Sequence, residues 1–223
     1  MPGASKPIHL KPATELAERV LLPGDPHRAL AVAQALMEQP KMFNHHRGLW
    51  GYSGTARDGG LLTVQATGMG GPSAAIVIEE LIALGARTLI RIGTCGALRH
   101  GLRLGDVVAV EGALALDGTS RALGAEGRVD PDPELTGAID SGARRLLAAS
   151  VDVFYADEGP AEGDVVEMEA ATLFQLAKLR GVRAAAVLGV SDVLDGGRER
   201  IDPDDLEALG VQIGETAWAA LTR

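Results

Sequence analysis

A single α/β domain, with a mixed but largely parallel central sheet flanked by helices, is the fold class this 223-residue chain predicts. Three observations carry that prediction. Strand-sized apolar runs alternate with helical patterns, several runs end in Gly, Ser, Thr or Asp, and residues 88–92 are apolar on both faces. A strand covered on both faces belongs mainly to parallel sheets. With 46% hydrophobic residues and neither repeat nor linker, residues 1–223 are expected to build one core.

Taken in order, strands are expected at residues 19–22, 61–66, 88–92, 106–110, 146–153 and 184–190. Helices are expected at residues 28–37, at 73–84 closed by Gly85, at 169–179 closed by Gly181, and from about 203 to 221. The last helix opens on Asp202 as N-cap with Pro203 in its first turn, while Gly210 and Gly214 weaken its interior. Residues 117–133, rich in Gly, Ser, Asp and Arg, read as a long surface loop, and residues 157–164 as a second, acidic one.

Composition narrows the function. A formal net charge of −9 would repel nucleic acid and anionic membrane at long range, so neither is an expected partner. The apolar runs fall short of the roughly 20 residues of a spanning helix. Residues 1–6 lack the apolar core of a signal peptide, and a cytoplasmic setting is expected. Cys95 is the one cysteine, which excludes an internal disulfide and a cysteine-based zinc site.

Arginines at strand ends in an acidic chain point to a small anionic ligand. Arg91 lies near the carboxyl end of the run 88–92, where open α/β sheets bind ligands, and the run breaks into Gly93-Thr94-Cys95-Gly96-Ala97. Its companion is either an oxyanion, with Thr94 and the backbone N–H groups of 93–96 completing a nest, or an internal Asp or Glu. A second strand-to-helix turn, Pro23-Gly24-Asp25-Pro26, places Arg28 beside a helix N-terminus. A third, Thr67-Gly68-Met69-Gly70-Gly71, lacks the glycine order and the distal acid of a dinucleotide site. Three such turns with two arginines favour an oxyanion site over any one turn alone.

Two acid-bearing segments complete the picture. Glu167-Met168-Glu169 stands at a strand-to-helix junction, where carboxylates either accept bonds from vicinal sugar hydroxyls or complement the helix dipole. Ser191-Asp192 follows an apolar strand, and its acid is a candidate proton donor.

In this order the motifs resemble the nucleoside phosphorylase family of hexameric bacterial purine nucleoside phosphorylases and uridine phosphorylases. The matching residues are Pro23-Gly24-Asp25-Pro26 with Arg28, Arg47-Gly48 with Gly51-Tyr52-Ser53-Gly54, Thr67-Gly68-Met69-Gly70, Arg91 to Ala97, Glu167 to Ala171, and Ser191-Asp192. The resemblance covers nearly the whole chain. It implies phosphorolysis of a nucleoside by inorganic phosphate to a free base and α-ribose 1-phosphate, with no metal or organic cofactor. Carried over by position, Gly24, Arg28, Arg91 and Thr94 would bind phosphate, and Arg47 would reach it from a neighbouring subunit. His9 would contact the sugar 5′-hydroxyl across the same interface, Met168 and Glu169 would hold the ribose, and Phe154 would stack near the base. Cys95, Gly96 and Glu167 would border the base, and Asp192 would protonate a purine at N7. A homo-oligomer with shared sites, a hexamer, is implied.

Ser191-Asp192 is purine-type, and no Gln and Arg pair of the uracil-reading kind follows Tyr155. Thr94 and residues 116–120 look closer to the uridine branch. Purine nucleosides are the expected substrates, uridine the alternative, and a catalytically silent nucleoside or phosphate binder a third reading. The stretch between Arg145 and Glu167 is shorter than the family pattern, and Arg198 and Arg200 both stand at unfamiliar spacing as helpers of Asp192.

Overall fold

The computed structural model describes residues 7–139, 144–156, 159–194 and 197–222. The chain runs β1 (Arg19–Pro23), α1 (Pro26–Leu36), β2 (Met37–Asn44), β3 (Gly51–Ala56), β4 (Leu61–Gln65), α2 (Gly71–Leu84), β5 (Thr88–Ala97) and β6 (Val107–Ala115). It continues through α3 (Gly118–Ala122), β7 (Arg128–Val129), α4 (Pro133–Ala138), β8 (Arg144–Ser150), β9 (Val165–Glu167), α5 (Ala170–Arg180), β10 (Arg183–Val193), β11 (Glu199–Arg200) and α6 (Pro203–Leu221).

Neighbouring strands follow the order β11-β10-β6-β8-β9-β5-β1-β4-β3-β2, with β7 on β6. Because β10 also pairs with β5, strands β5, β10, β6, β8 and β9 close into a ring. The centre, β4-β1-β5-β10, is parallel as expected, whereas β2-β3-β4 and the pairs β5–β9 and β6–β10 are antiparallel. Strand β2 carried no strand signal because Gln39-Pro40 interrupts it. Those residues sit in a register shift between Glu38 and Lys41, and β2 is an edge strand, where a missing N–H is tolerated.

Helices cover both faces. The layer of α2 and α5 packs Val77, Ile78, Leu81, Leu173, Phe174 and Leu176 against Leu22, Leu89 and Val190. The opposite layer of α1 and α6 packs Val32, Leu36, Leu209 and Ile213 against Leu21, Ile90, Ile92 and Val187. Each such side chain, taken fully from water, contributes roughly 1.5–3 kcal/mol before ordering costs. Helix starts follow the local code: the Asp25 side chain accepts from the N–H of His27 and Arg28 with Pro26 in the first turn, and Asp202 accepts from the N–H of Asp204 ahead of Pro203. Helix α5 ends on Gly181 in the left-handed conformation, φ 66°.

Three expectations require correction. Residues 117–133 are not a bare loop but hold α3, β7 and the start of α4, because Asp117 and Asp132 each cap a short helix. The strand expected at 146–153 stops at Ser150. The glycine turn expected after Ile92 does not form: β5 runs on to Ala97, its residues Gly93, Thr94 and Cys95 in register with Leu188, Gly189 and Val190 of β10. Residues 93–95 thus belong to an extended strand rather than to a glycine turn. Residues Asp157 and Glu158 of the acidic segment lie outside the described residues, and 159–164 contain no helix. Among the described residues, no helix is long and apolar enough to cross a membrane.

Candidate active site

The carboxyl ends of β1, β4, β5 and β10 converge, and the loops that leave them are tied together. The N–H of Thr67 donates to the Pro23 carbonyl at 2.8 Å and that of Gly68 to the Gly24 carbonyl at 3.1 Å. A Cβ on Gly24 would come within 3.1 Å of the Gly68 carbonyl oxygen, so this close approach needs a residue without a side chain.

Arg91 projects from β5 into this junction and is 5% exposed. Its Nε donates to Glu167 Oε2 at 3.0 Å and its Nη2 lies 2.6 Å from Glu169 Oε2. Burial would pull the guanidinium's pKa down, but Glu169 and Glu167 outweigh it and raise it, so the charge is permanent. The guanidinium leans along the strand over Gly93, where a Cβ would stand 2.6 Å from Cζ. Gly93 is thus the space Arg91 occupies, not a turn. Of the two companions expected for Arg91, the chain itself supplies the internal carboxylates.

The two carboxylates differ. Glu167 accepts from Arg91, from the Ser150 hydroxyl and from the N–H groups of Glu169 and Ala170, and its side chain has no exposed surface. Fully engaged, it anchors Arg91 and the start of α5. Glu169 holds Arg91 with one oxygen and accepts from the Gly70 N–H with the other at 2.5 Å. Burial raises its pKa against the pull of Arg91, and the nearby Glu167 adds to the rise. Met168 is half-buried beside it, its Cε 4.0 Å from where a Gly70 Cβ would stand.

Arg28 reaches the same place from the opposite face of the sheet. Its pKa is lowered by burial, against the attraction of Asp25 and with a further push from Arg91, while Glu169 pulls it up. Among the described residues no hydrogen bond or ion pair holds its guanidinium. A guanidinium drawn out of water, without a hydrogen bond among the described residues and repelled by a second arginine, suits an anion. Thr94, half-buried one residue beyond Gly93, keeps its hydroxyl unbonded among the described residues.

A second group stands further along the strands. Asp192 pairs in register with Gly96, three residues or roughly 10 Å beyond Gly93. Its Oδ1 accepts from Arg198 Nε at 2.8 Å and its Oδ2 from the Ser191 hydroxyl at 2.8 Å. The Arg198 guanidinium also lies 4.6 Å over the Phe154 ring, which is 50% exposed and edge-on to Tyr155. This settles which arginine attends the acid: Arg200 pairs with Asp192 through the backbone alone and is exposed. Cys95 does not face this group. Its thiol is 3% exposed in the α2–α5 core, directed at the Gly189 carbonyl at 3.7 Å, and burial pushes its pKa far up. Gly96 lies beneath the side chains of Leu194 and Val166 and is a packing position.

His9 and Arg47 are not brought to the site within the chain. The His9 ring donates through Nδ1 to Glu80 at 2.7 Å, about ten residues or roughly 15 Å down α2 from Gly70. Arg47 is exposed in a left-handed conformation, φ 60°, on the 3₁₀ turn His46–Gly48, a turn held by the buried Asn44 side chain through Leu49 and His46.

Comparison with known proteins gives the chain's family. The family model for the phosphorylase superfamily matches residues 18–217. A DeoD-type purine nucleoside phosphorylase of Geobacillus kaustophilus is 39% identical over 209 residues, 86% of this chain and 88% of that protein. One of Oceanobacillus iheyensis is 37% identical over 203 residues, 83% of this chain and 86% of that protein. A uridine phosphorylase of Thermococcus kodakarensis is 35% identical over 216 residues, 84% of this chain and 77% of that protein. With Arg91 buried, Arg28 half-buried and Asp192 further along the strands, the chain belongs to the phosphorylase superfamily.

Proposed function

We propose that the protein is a purine nucleoside phosphorylase, which cleaves the N-glycosidic bond with inorganic phosphate to give a free purine and α-ribose 1-phosphate. The observation that carries this reading is the pair Arg28 and Arg91, desolvated and convergent, with the acid Asp192 roughly 10 Å further along the strands. Relatives named as purine nucleoside phosphorylases support the same choice.

The chemistry is positioning and electrostatics. Gly24 allows the phosphate close to the backbone, Arg28 and Arg91 hold it, and Thr94 donates to it. Glu169 accepts from the ribose hydroxyls and Met168 packs on the sugar. As the bond breaks, the sugar takes on oxocarbenium character, and the fixed dianion both stabilises it and attacks the anomeric carbon. Asp192 gives its proton to N7 of the leaving purine. Arg198 and Ser191 stabilise the carboxylate left behind, and Phe154 borders the base. Phosphate is a co-substrate, and no metal or organic cofactor enters the reaction.

Arg47 and His9 act in a partner's site on this reading, so the working form is a homo-oligomer, a hexamer of whole-chain catalytic units in the cytoplasm. An isolated monomer is then inactive. Incubating the protein with inosine, adenosine or guanosine, with and without phosphate, and measuring base and ribose 1-phosphate tests the reaction. Phosphate-dependent release from a purine nucleoside is expected. Cleavage of uridine alone would move the assignment to uridine phosphorylase, as the Thermococcus kodakarensis relative is named, and binding without product would make the protein a silent binder.

A further inference from the structure

Arg91 is fixed by two carboxylates, whereas Arg28 has no hydrogen bond or ion pair of its own among the described residues, and its stem is directed by packing. That packing comes from α6. The Arg28 side chain lies against the helix backbone at Gly210, where a Cβ would stand 3.2 Å from both its Cγ and its Nε and 3.4 Å from its Cδ. Four residues on, a Cβ at Gly214 would stand 2.7 and 2.8 Å from the two Cγ atoms of Val32. Both glycines therefore face α1. One meets an apolar side chain of the core, and the other meets the stem of Arg28.

We infer that Gly210 is a positioning residue for the anion site, a notch in α6 along which Arg28 is laid so that its guanidinium reaches the phosphate beside Arg91. A glycine inside a helix weakens it relative to alanine, so an absent side chain here needs a reason beyond α6 itself. The contact at 3.2 Å supplies one: a methyl group at 210 makes the arginine stem give by a few tenths of an ångström, and a displaced stem swings its far end the most. The inference rests on the phosphorolysis reading above.

Phosphate and nucleoside KM and kcat are to be measured for the unsubstituted chain, Gly210→Ala and Gly214→Ala, with thermal unfolding of each. Gly210→Ala is expected to raise phosphate KM roughly 3- to 10-fold while leaving nucleoside KM and kcat within about twofold, because an off-rotamer side chain costs that much in positioning. Gly214→Ala is expected to lower the unfolding temperature and leave phosphate KM within about twofold. Equal changes of phosphate KM in the two variants, or none in Gly210→Ala, would overturn the role of Gly210 and leave phosphorolysis standing. No turnover by the unsubstituted chain would overturn both. Should Gly210→Ala not fold, the double variant Gly210→Ala/Arg28→Ala is expected to fold, since no stem remains to be displaced; its failure to fold would also overturn the role.

Discussion

The two ends of the parallel strands treat arginine in opposite ways. At the amino end two arginines meet their own acids near solvent: Arg19 grips Asp58 through two nitrogens at 2.5 and 2.6 Å, and Arg183 grips Asp132 at 3.1 and 3.2 Å. A recess of about 790 Å³ opens there, but Arg19 and Arg183 in its wall are already matched. At the carboxyl end one guanidinium is held by two buried carboxylates, and another makes no hydrogen bond or ion pair among the described residues. Matched charge beside water makes a solvated, stable edge. Mismatched charge away from water makes a place where a ligand completes the count. A large recess is therefore a poorer guide to function here than an unbalanced cluster.

Removing the arginine at each end tests this contrast most strongly. Arg91→Ala strands two buried carboxylates, and about 3–5 kcal/mol of stability should go with it, along with phosphate-dependent turnover. Arg19→Ala should cost only about 0.2–1 kcal/mol and spare turnover. Denaturant unfolding of both variants decides the matter; similar losses would mean that burial does not separate the two ends. Within the site, Asp192→Asn should cut kcat by roughly 10²- to 10⁴-fold with phosphate KM little changed, since it removes a proton and no anion contact. If Arg91→Ala and Asp192→Asn altered phosphate KM alike, the division between anion site and proton donor would be wrong.

The smallest effect belongs to pH at the amino end. The hydrogen-bonded Arg19 guanidinium holds the Asp58 carboxyl at about 2, below its usual 3.8. A group whose pKa falls on folding stabilises the native state above the unfolded value, and that contribution fades as pH drops through the folded one. The unfolding temperatures of the native chain and Asp58→Asn should therefore differ slightly at neutral pH and converge as pH falls from 3.8 towards about 2. A difference that persisted at the acid end would remove the Arg19–Asp58 pair as its cause.

Signals that are local in sequence translated well into structure. Asp202 with Pro203, Gly85 and Gly181 mark helix ends because capping involves residues a few positions apart. Strand cores at 19–22, 61–65 and 184–190 were equally readable, since burial on both faces leaves an unbroken apolar run. What stayed hidden depended on partners far along the chain. Gly93 looks like a turn residue until Arg91 is seen lying over it, and Gly210 looks like a weak point until Arg28 is seen beside it. Glu167 and Glu169 are two residues apart and chemically alike. Only the Ser150 hydroxyl and the α5 N–H groups, which saturate the first, tell them apart. Arg198 could not be chosen over Arg200 because the short β11 pairing, not spacing, sets which one faces Asp192.

The guanidinium resting over Gly93 has a consequence for how this chain can change. Residues 91 and 93 form a lock in which each constrains the other: while an arginine stands at 91, a side chain at 93 collides with it at 2.6 Å. Drift at position 93 is closed until the arginine is lost, and once it is lost nothing restrains a methyl group from filling the gap. Replacing the buried ion cluster with packed apolar groups commonly leaves a protein as stable or more so. An inactive descendant of this fold would therefore keep the sheet, gain bulk at 93, and have a steric barrier against regaining its arginine.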